Sequence, residues 1–168
     1  MPAESGSSPD VAALVAPLLA RLPEDHVPIF LALAERRAAD RYRAWAATAT
    51  NDSVCTDLLA CADREEEIAR RVEELFDDVA AIHEAIAQKI PELEDLIQAA
   101  FADSSIRQQL ALQANGERAG AATWRSLATK AAAPAARDTL ASCAELEEQS
   151  AEVLEALLAT SPWPFSTP

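Results

Sequence analysis

Shifted by 82 residues, the chain aligns with its own second half without a gap. AERRAADRYRAWAA from Ala34 lies over GERAGAATWRSLAT from Gly116, and LLACADREEEIARRVEELF from Leu58 lies over LASCAELEEQSAEVLEALL from Leu140. The identities include Glu35/Glu117, Arg36/Arg118, Arg43/Arg125, Cys61/Cys143, Glu65/Glu147, Glu66/Glu148, Ala69/Ala151 and Glu73/Glu155. Alanine-rich helices align by chance, but chance rarely keeps one register across two helices and the loop between them. The pattern predicts two copies of one supersecondary unit stacked on each other.

That unit is helical. Hydrophobic residues make up 50% of the chain, aromatics only 5%, and there are 3 glycines, so alanine carries the apolar share and turn material for sheets is scarce. The first copy predicts helices at about Asp10–Arg21, Val27–Thr50 and Ser53–Gln88; the second, at about Pro91–Ala102, Ser105–Ala132 and Ala135–Thr160. Asn51-Asp52 before a Ser53 cap, Pro91, Asp103-Ser104 and Pro134 supply the stops. Asn115-Gly116 pairs in the repeat with Leu33-Ala34, inside a strong helical pattern, and reads as a kink or a tolerated glycine. The expected architecture is all-α: a four-helix bundle of two repeats, about 10–88 and 91–160, with antiparallel neighbours and two additional short helices. At 168 residues the chain suits one domain over 1–160. SPWPFSTP, with three prolines in eight residues, cannot continue a helix and leaves 161–168 as a tail. Trp163 and Phe165 would anchor that tail on its own chain or on a protein partner.

A net charge of -14 without a basic block argues against nucleic acid or an anionic membrane as partner. No apolar run approaches the roughly 20 residues of a membrane span, and MPAESGSSPD has neither a basic region nor an apolar signal core. A soluble, cytoplasmic protein is expected. Cys55, Cys61 and Cys143 are odd in number and form no CxxC, which speaks against a disulfide framework.

CADREEEIARRV, residues 61–72, sets three glutamates in a row on a helix that turns about 100° per residue, so they cannot share a face. Glu66 has Arg70 four residues on, and Glu67 has Arg71, the spacing of ordinary surface pairs. Glu65 instead stands among Cys61, Ala62, Ile68 and Ala69, with Val72 and Phe76 on the same stripe. Glu147 repeats the pattern with Cys143, Ala144, Ser150 and Ala151. Glu35 sits among Leu31, Ala32, Ala38 and Ala39, and Glu117 among Gln113, Ala114, Gly120 and Ala121. Four helices thus each bring one glutamate to the core-facing stripe. Four carboxylates at one level of a low-dielectric core cannot all stay ionised unaided: a cation neutralises them, or some hold protons and share hydrogen bonds, or arginines reach in.

With these residues the chain resembles the ferritin-like superfamily, and rubrerythrin-type di-iron carboxylate proteins most closely, over roughly residues 28–160. The family pairs a ligand glutamate with an aromatic seven residues later, here ERRAADRY (Glu35 to Tyr42) and ERAGAATW (Glu117 to Trp124). Its second helices carry Glu-x-x-His and then alanine, where this chain has EEEIA (Glu65 to Ala69) and EEQSA (Glu147 to Ala151). The resemblance implies a ferritin-like bundle with Glu35, Glu65, Glu117 and Glu147 as metal ligands, iron or manganese as the metal, and Tyr42 and Trp124 beside it. Ile68 and Ser150 stand where the family has histidines, so the donor set shifts toward hard, oxygen-preferring ions such as Mn²⁺, Fe³⁺, Mg²⁺ or Ca²⁺, and an asymmetric or single-metal site is easier to build than a di-iron one. His83 lies about 22 Å along a helix beyond Ile68, and His26 about 13 Å before Glu35, too far to substitute. Cys61 and Cys143, one turn before Glu65 and Glu147, offer soft ligands or a redox pair, or small buried packing. Three cysteines cannot make the four-cysteine iron domain that rubrerythrins often carry, so any electron donor would be separate.

Two functions follow as expectations. One is a carboxylate-bound metal activating O₂ or peroxide, an oxidoreductase. The other is a metal-free binding or assembly module, its carboxylates protonated or paired with Arg43 and Arg125. Homodimers are common among such bundles, though no apolar stripe in this sequence demands one.

Overall fold

Among the described residues, 11–102 and 104–165 of a computed structural model, every regular element is helical. The prediction of an all-α chain therefore holds at that level. α1 (Val11–Leu19) leads through a 3-10 turn at Glu24–His26 into α2 (Val27–Ala46), which carries a proline in its first turn, where a missing N–H costs no helix bond. α3 (Asp52–Glu73) is capped by Asn51, whose side chain accepts from Ser53 N at 2.8 Å and Val54 N at 3.3 Å. Asn51 thus takes the place expected of Ser53. Two short helices, α4 (Val79–Lys89) and α5 (Leu93–Ala102), precede α6 (Ile106–Lys130), which opens with a Ser105/Gln108 capping box. α6 runs on through Asn115-Gly116. α7 (Pro134–Ala159) again has proline at its start. No helix among the described residues is long and apolar enough to cross a membrane.

The long helix expected over Ser53–Gln88 is two helices. α3 stops at Glu73, and the chain passes through Phe76-Asp77-Asp78 before α4 starts. Phe76 packs against the interior, and two aspartates, poor in helix interiors and good before helix starts, let the chain turn there. α4 then packs back on α2. The described residues accordingly hold three short helices, α1, α4 and α5, rather than two. α2 also ends earlier than Thr50, and α5 begins after Pro91.

α2 packs on α3, α6 packs on α7, and the two pairs meet through α3 and α7. Their interior falls into two apolar clusters. One holds Ile29, Phe30 and Ala32 of α2, Ile68, Ala69 and Val72 of α3, Ala121, Trp124 and Ala128 of α6, and Leu140, Cys143 and Ala144 of α7. The other holds Ala38, Ala39 and Tyr42, then Leu58, Cys61 and Ala62, then Leu110 and Ala114, then Leu154 and Leu157. Each long helix runs from one cluster into the other, and the four glutamates lie in the gap: 35 between 32 and 38, 65 between 62 and 68, 117 between 114 and 121, 147 between 144 and 154.

The tail packs on its own chain. Thr50 donates from its backbone N and its hydroxyl to Pro164 O, both at 3.0 Å. Arg107 stacks 4.1 Å above the Trp163 ring, and Phe165 is buried in the second cluster. The two aromatics are thus engaged within the chain, Phe165 buried and Trp163 half-buried; residues 166–168 lie outside the described ones.

Candidate metal centre

Glu65, Glu117, Glu147 and Ser150 are at most 1% exposed, and Gln113 beside them is buried as well. Glu35 keeps some exposed surface as a residue, yet its carboxyl is surrounded as closely as the others and lies within hydrogen-bonding reach of Glu147 and Glu65. One oxygen each from Glu35, Glu65 and Glu147 lie within 4.8 Å of one another, the separation expected when carboxylates face a common ion. Burial first, and then neighbouring carboxylates, push all three carboxyls up, Glu35 to about 8.

Each buried glutamate has one oxygen fixed by a neutral donor. Ser150 Oγ donates to Glu65 Oε1 at 2.8 Å, and Trp124 Nε1 donates to Glu147 Oε1 at 2.8 Å. Tyr42 Oη and Gln113 Nε2 both donate to Glu117 Oε1, at 2.7 and 2.6 Å. Glu65 Oε2 and Glu117 Oε2 are buried without any partner. A buried carboxylate oxygen left unpaired costs free energy until a cation or proton meets it. The donor pattern therefore orients the carboxylates while leaving oxygens free, as the outer shell of a metal site does.

Gly120 makes room for this arrangement. A Cβ there would stand 2.5 Å from Glu147 Oε1 and 2.8 Å from its carboxyl carbon. Residue 38, its counterpart in the repeat, is an alanine. The two halves thus treat their glutamates differently: Tyr42 reaches across to Glu117, while Trp124 bonds Glu147 within its own hairpin.

Arginines do reach toward the cluster, but not the expected ones. Arg43 pairs with Asp40 and Glu66, and Arg125 with Glu148, all on the outside. Arg41 donates to Gln113 Oε1 at 2.9 and 3.1 Å, and Gln113 passes on to Glu117. Arg64 donates to Ser150 Oγ at 3.1 Å, and Ser150 passes on to Glu65. Sequence reasoning missed both relays. The surface pairs also differ: Glu67 takes both Arg70 and Arg71, while Glu66 turns to Arg36 and Arg43, because α2 brings those arginines alongside.

Ile68 is fully buried hydrocarbon. Cys61 and Cys143 are free, buried in different apolar clusters, and so do not face each other; burial holds both thiols at about 12. Cys61 Sγ accepts from Arg64 at 3.1 Å. His83 Nε2 lies 3.8 Å from Glu73, and His26 sits in the 3-10 turn, so neither joins the carboxylates. Comparison with protein families, with curated proteins and with solved structures finds no match to this chain.

Proposed function

We propose that this chain is a ferritin-like bundle, built by duplication, that binds one divalent cation through Glu35, Glu65 and Glu147. The observation that carries this reading is the convergence of three carboxylate oxygens within 4.8 Å beside buried carboxylate oxygens that have no partner. Charge supports one ion rather than two. Four glutamates carry four negative charges, and Arg41 and Arg64, whose fields reach Glu35 and Glu65, return two. A single divalent ion completes the balance. Glu117, compensated by Tyr42 and Gln113, supplies negative potential beside it. The all-oxygen donor set favours Mn²⁺, Fe²⁺, Mg²⁺ or Ca²⁺ over Zn²⁺. Oxidation by O₂ or peroxide is the extension the family resemblance suggests, with Tyr42 and Trp124 hydrogen-bonded to the carboxylates.

A metal-free reading is favoured by Ile68, which puts hydrocarbon where the family has a ligand, and by carboxyls held protonated by burial. Thermal melts of chelator-treated protein separate the two. Added Mn²⁺ at a hundredfold excess over its dissociation constant should stabilise the fold by about 2.7 kcal/mol, with Zn²⁺ weaker. Melts unmoved by any of these ions, and metal absent on elemental analysis, would leave the metal-free module.

A further inference from the structure

Between α2, α5 and α6 lies an open cleft of about 460 Å³, lined on its apolar side by Ala44, Ile97, Phe101 and Ala102. That is within the roughly 300–1,000 Å³ of small-molecule sites. Its charged groups are mostly spoken for. Arg37 pairs with Glu94 at 2.9 Å, and Asp40 with Arg43 at 3.3 Å. Arg41 is the exception. Its guanidinium lies 4.4 Å from the centre of the Phe101 ring and uses Nε and Nη2 on a single acceptor, Gln113 Oε1. Among the described residues, no carboxylate forms an ion pair with it, and its Nη1–Nη2 edge is left without an acceptor. A guanidinium edge is a planar fork matched to a carboxylate.

We propose that this cleft binds a monocarboxylate with an apolar tail, its head on Arg41 and its tail along Ile97 and Phe101, and that occupancy is linked to the cation site. The linkage rests on the preceding proposal. Arg41 now compensates the buried glutamates, directly and through Gln113 and Glu117. An anion on Arg41 withdraws that compensation, so the glutamates attract a cation more strongly. A cation on the glutamates in turn frees Arg41 for the anion. Each ligand therefore tightens the other, by the same factor in both directions.

The test is calorimetric titration of octanoate into chelator-treated and Mn²⁺-loaded protein, with octanamide as the neutral probe. Octanoate should bind one per chain even without metal, at least tenfold tighter than octanamide, and Mn²⁺ should tighten it about fivefold or more. Arg41→Gln should remove the preference for octanoate. Ala44→Phe, which fills the cleft and leaves Arg41 in place, should remove binding of both probes. Octanamide binding as well as octanoate, or octanoate binding that survives both substitutions, overturns the pocket. An octanoate affinity indifferent to bound Mn²⁺ overturns the linkage. If Mn²⁺ itself does not bind, the cation site falls, and the metal-free titration still decides the pocket.

Discussion

At Gly120 the lack of a side chain is what leaves the Glu147 carboxylate its place. Gly120→Ala improves helix propensity by about 1 kcal/mol but drives a methyl into Glu147 Oε1, which lies 2.5 Å from the new Cβ. The carboxylate is the movable partner, so the fold should survive and the site should suffer. Mn²⁺ affinity should drop by about 10- to 100-fold, the usual loss when an oriented ligand is disturbed, while the metal-free melting temperature changes little. An unchanged affinity would mean that Glu147 is not a ligand. Glu147→Gln makes the complementary test. Its oxygen can still accept from Trp124, and its amide can donate to Glu35, so a carboxyl that burial holds far above its unfolded titration range is removed with the packing kept. Metal-free protein at pH 8 should gain about 1 kcal/mol or more, and stabilisation by Mn²⁺ should be lost. A variant that loses stability without metal would contradict the strained-carboxylate account.

Among the elements, α3 shows what periodicity conveys and what it does not. The placement of Glu65 and Glu147 on the core-facing stripe was legible because one helix face recurs at three and four residues, and those neighbours are apolar or small. The break at Phe76-Asp77-Asp78 carried a signal, two adjacent aspartates, inside the span expected to be one long helix. Arg41 and Arg64 were not legible as partners of the cluster. Their targets, Gln113 and Ser150, lie on other helices and become neighbours only when the hairpins dock. Asn51 is a cap whose worth can be measured separately from the site: Asn51→Ala should cost about 1 kcal/mol in denaturant unfolding with no effect on metal uptake. A loss of metal uptake would show that the α2–α3 turn positions the glutamates more directly than its distance along the chain suggests. Ile68→His places an imidazole one turn from Glu65 and should shift preference from Mn²⁺ toward Zn²⁺ in competition titrations.

For the whole molecule, a polar layer between two apolar clusters makes stability depend on pH. Folded Glu35 holds its proton up to about 8, whereas the unfolded chain releases it near 4.5, and Glu65 and Glu147 shift the same way. Between those values folded Glu35 holds a proton that the unfolded chain has released, so stability falls as pH rises, by about 1.4 kcal/mol per pH unit for that group, and the shifts of Glu65 and Glu147 act in the same direction. Metal-free protein should therefore melt higher at pH 5 than at pH 8. Cation binding requires deprotonated carboxylates, so stabilisation by Mn²⁺ should grow over that interval. The most direct measurement is the number and location of ions bound: Mn²⁺ titrated at pH 8 into chelator-treated wild-type, Glu35→Gln, Glu65→Gln and Glu147→Gln proteins. One ion per wild-type chain, with uptake lost in each variant, is the predicted result. No uptake by the wild type, two ions per chain, or uptake indifferent to all three substitutions would contradict it.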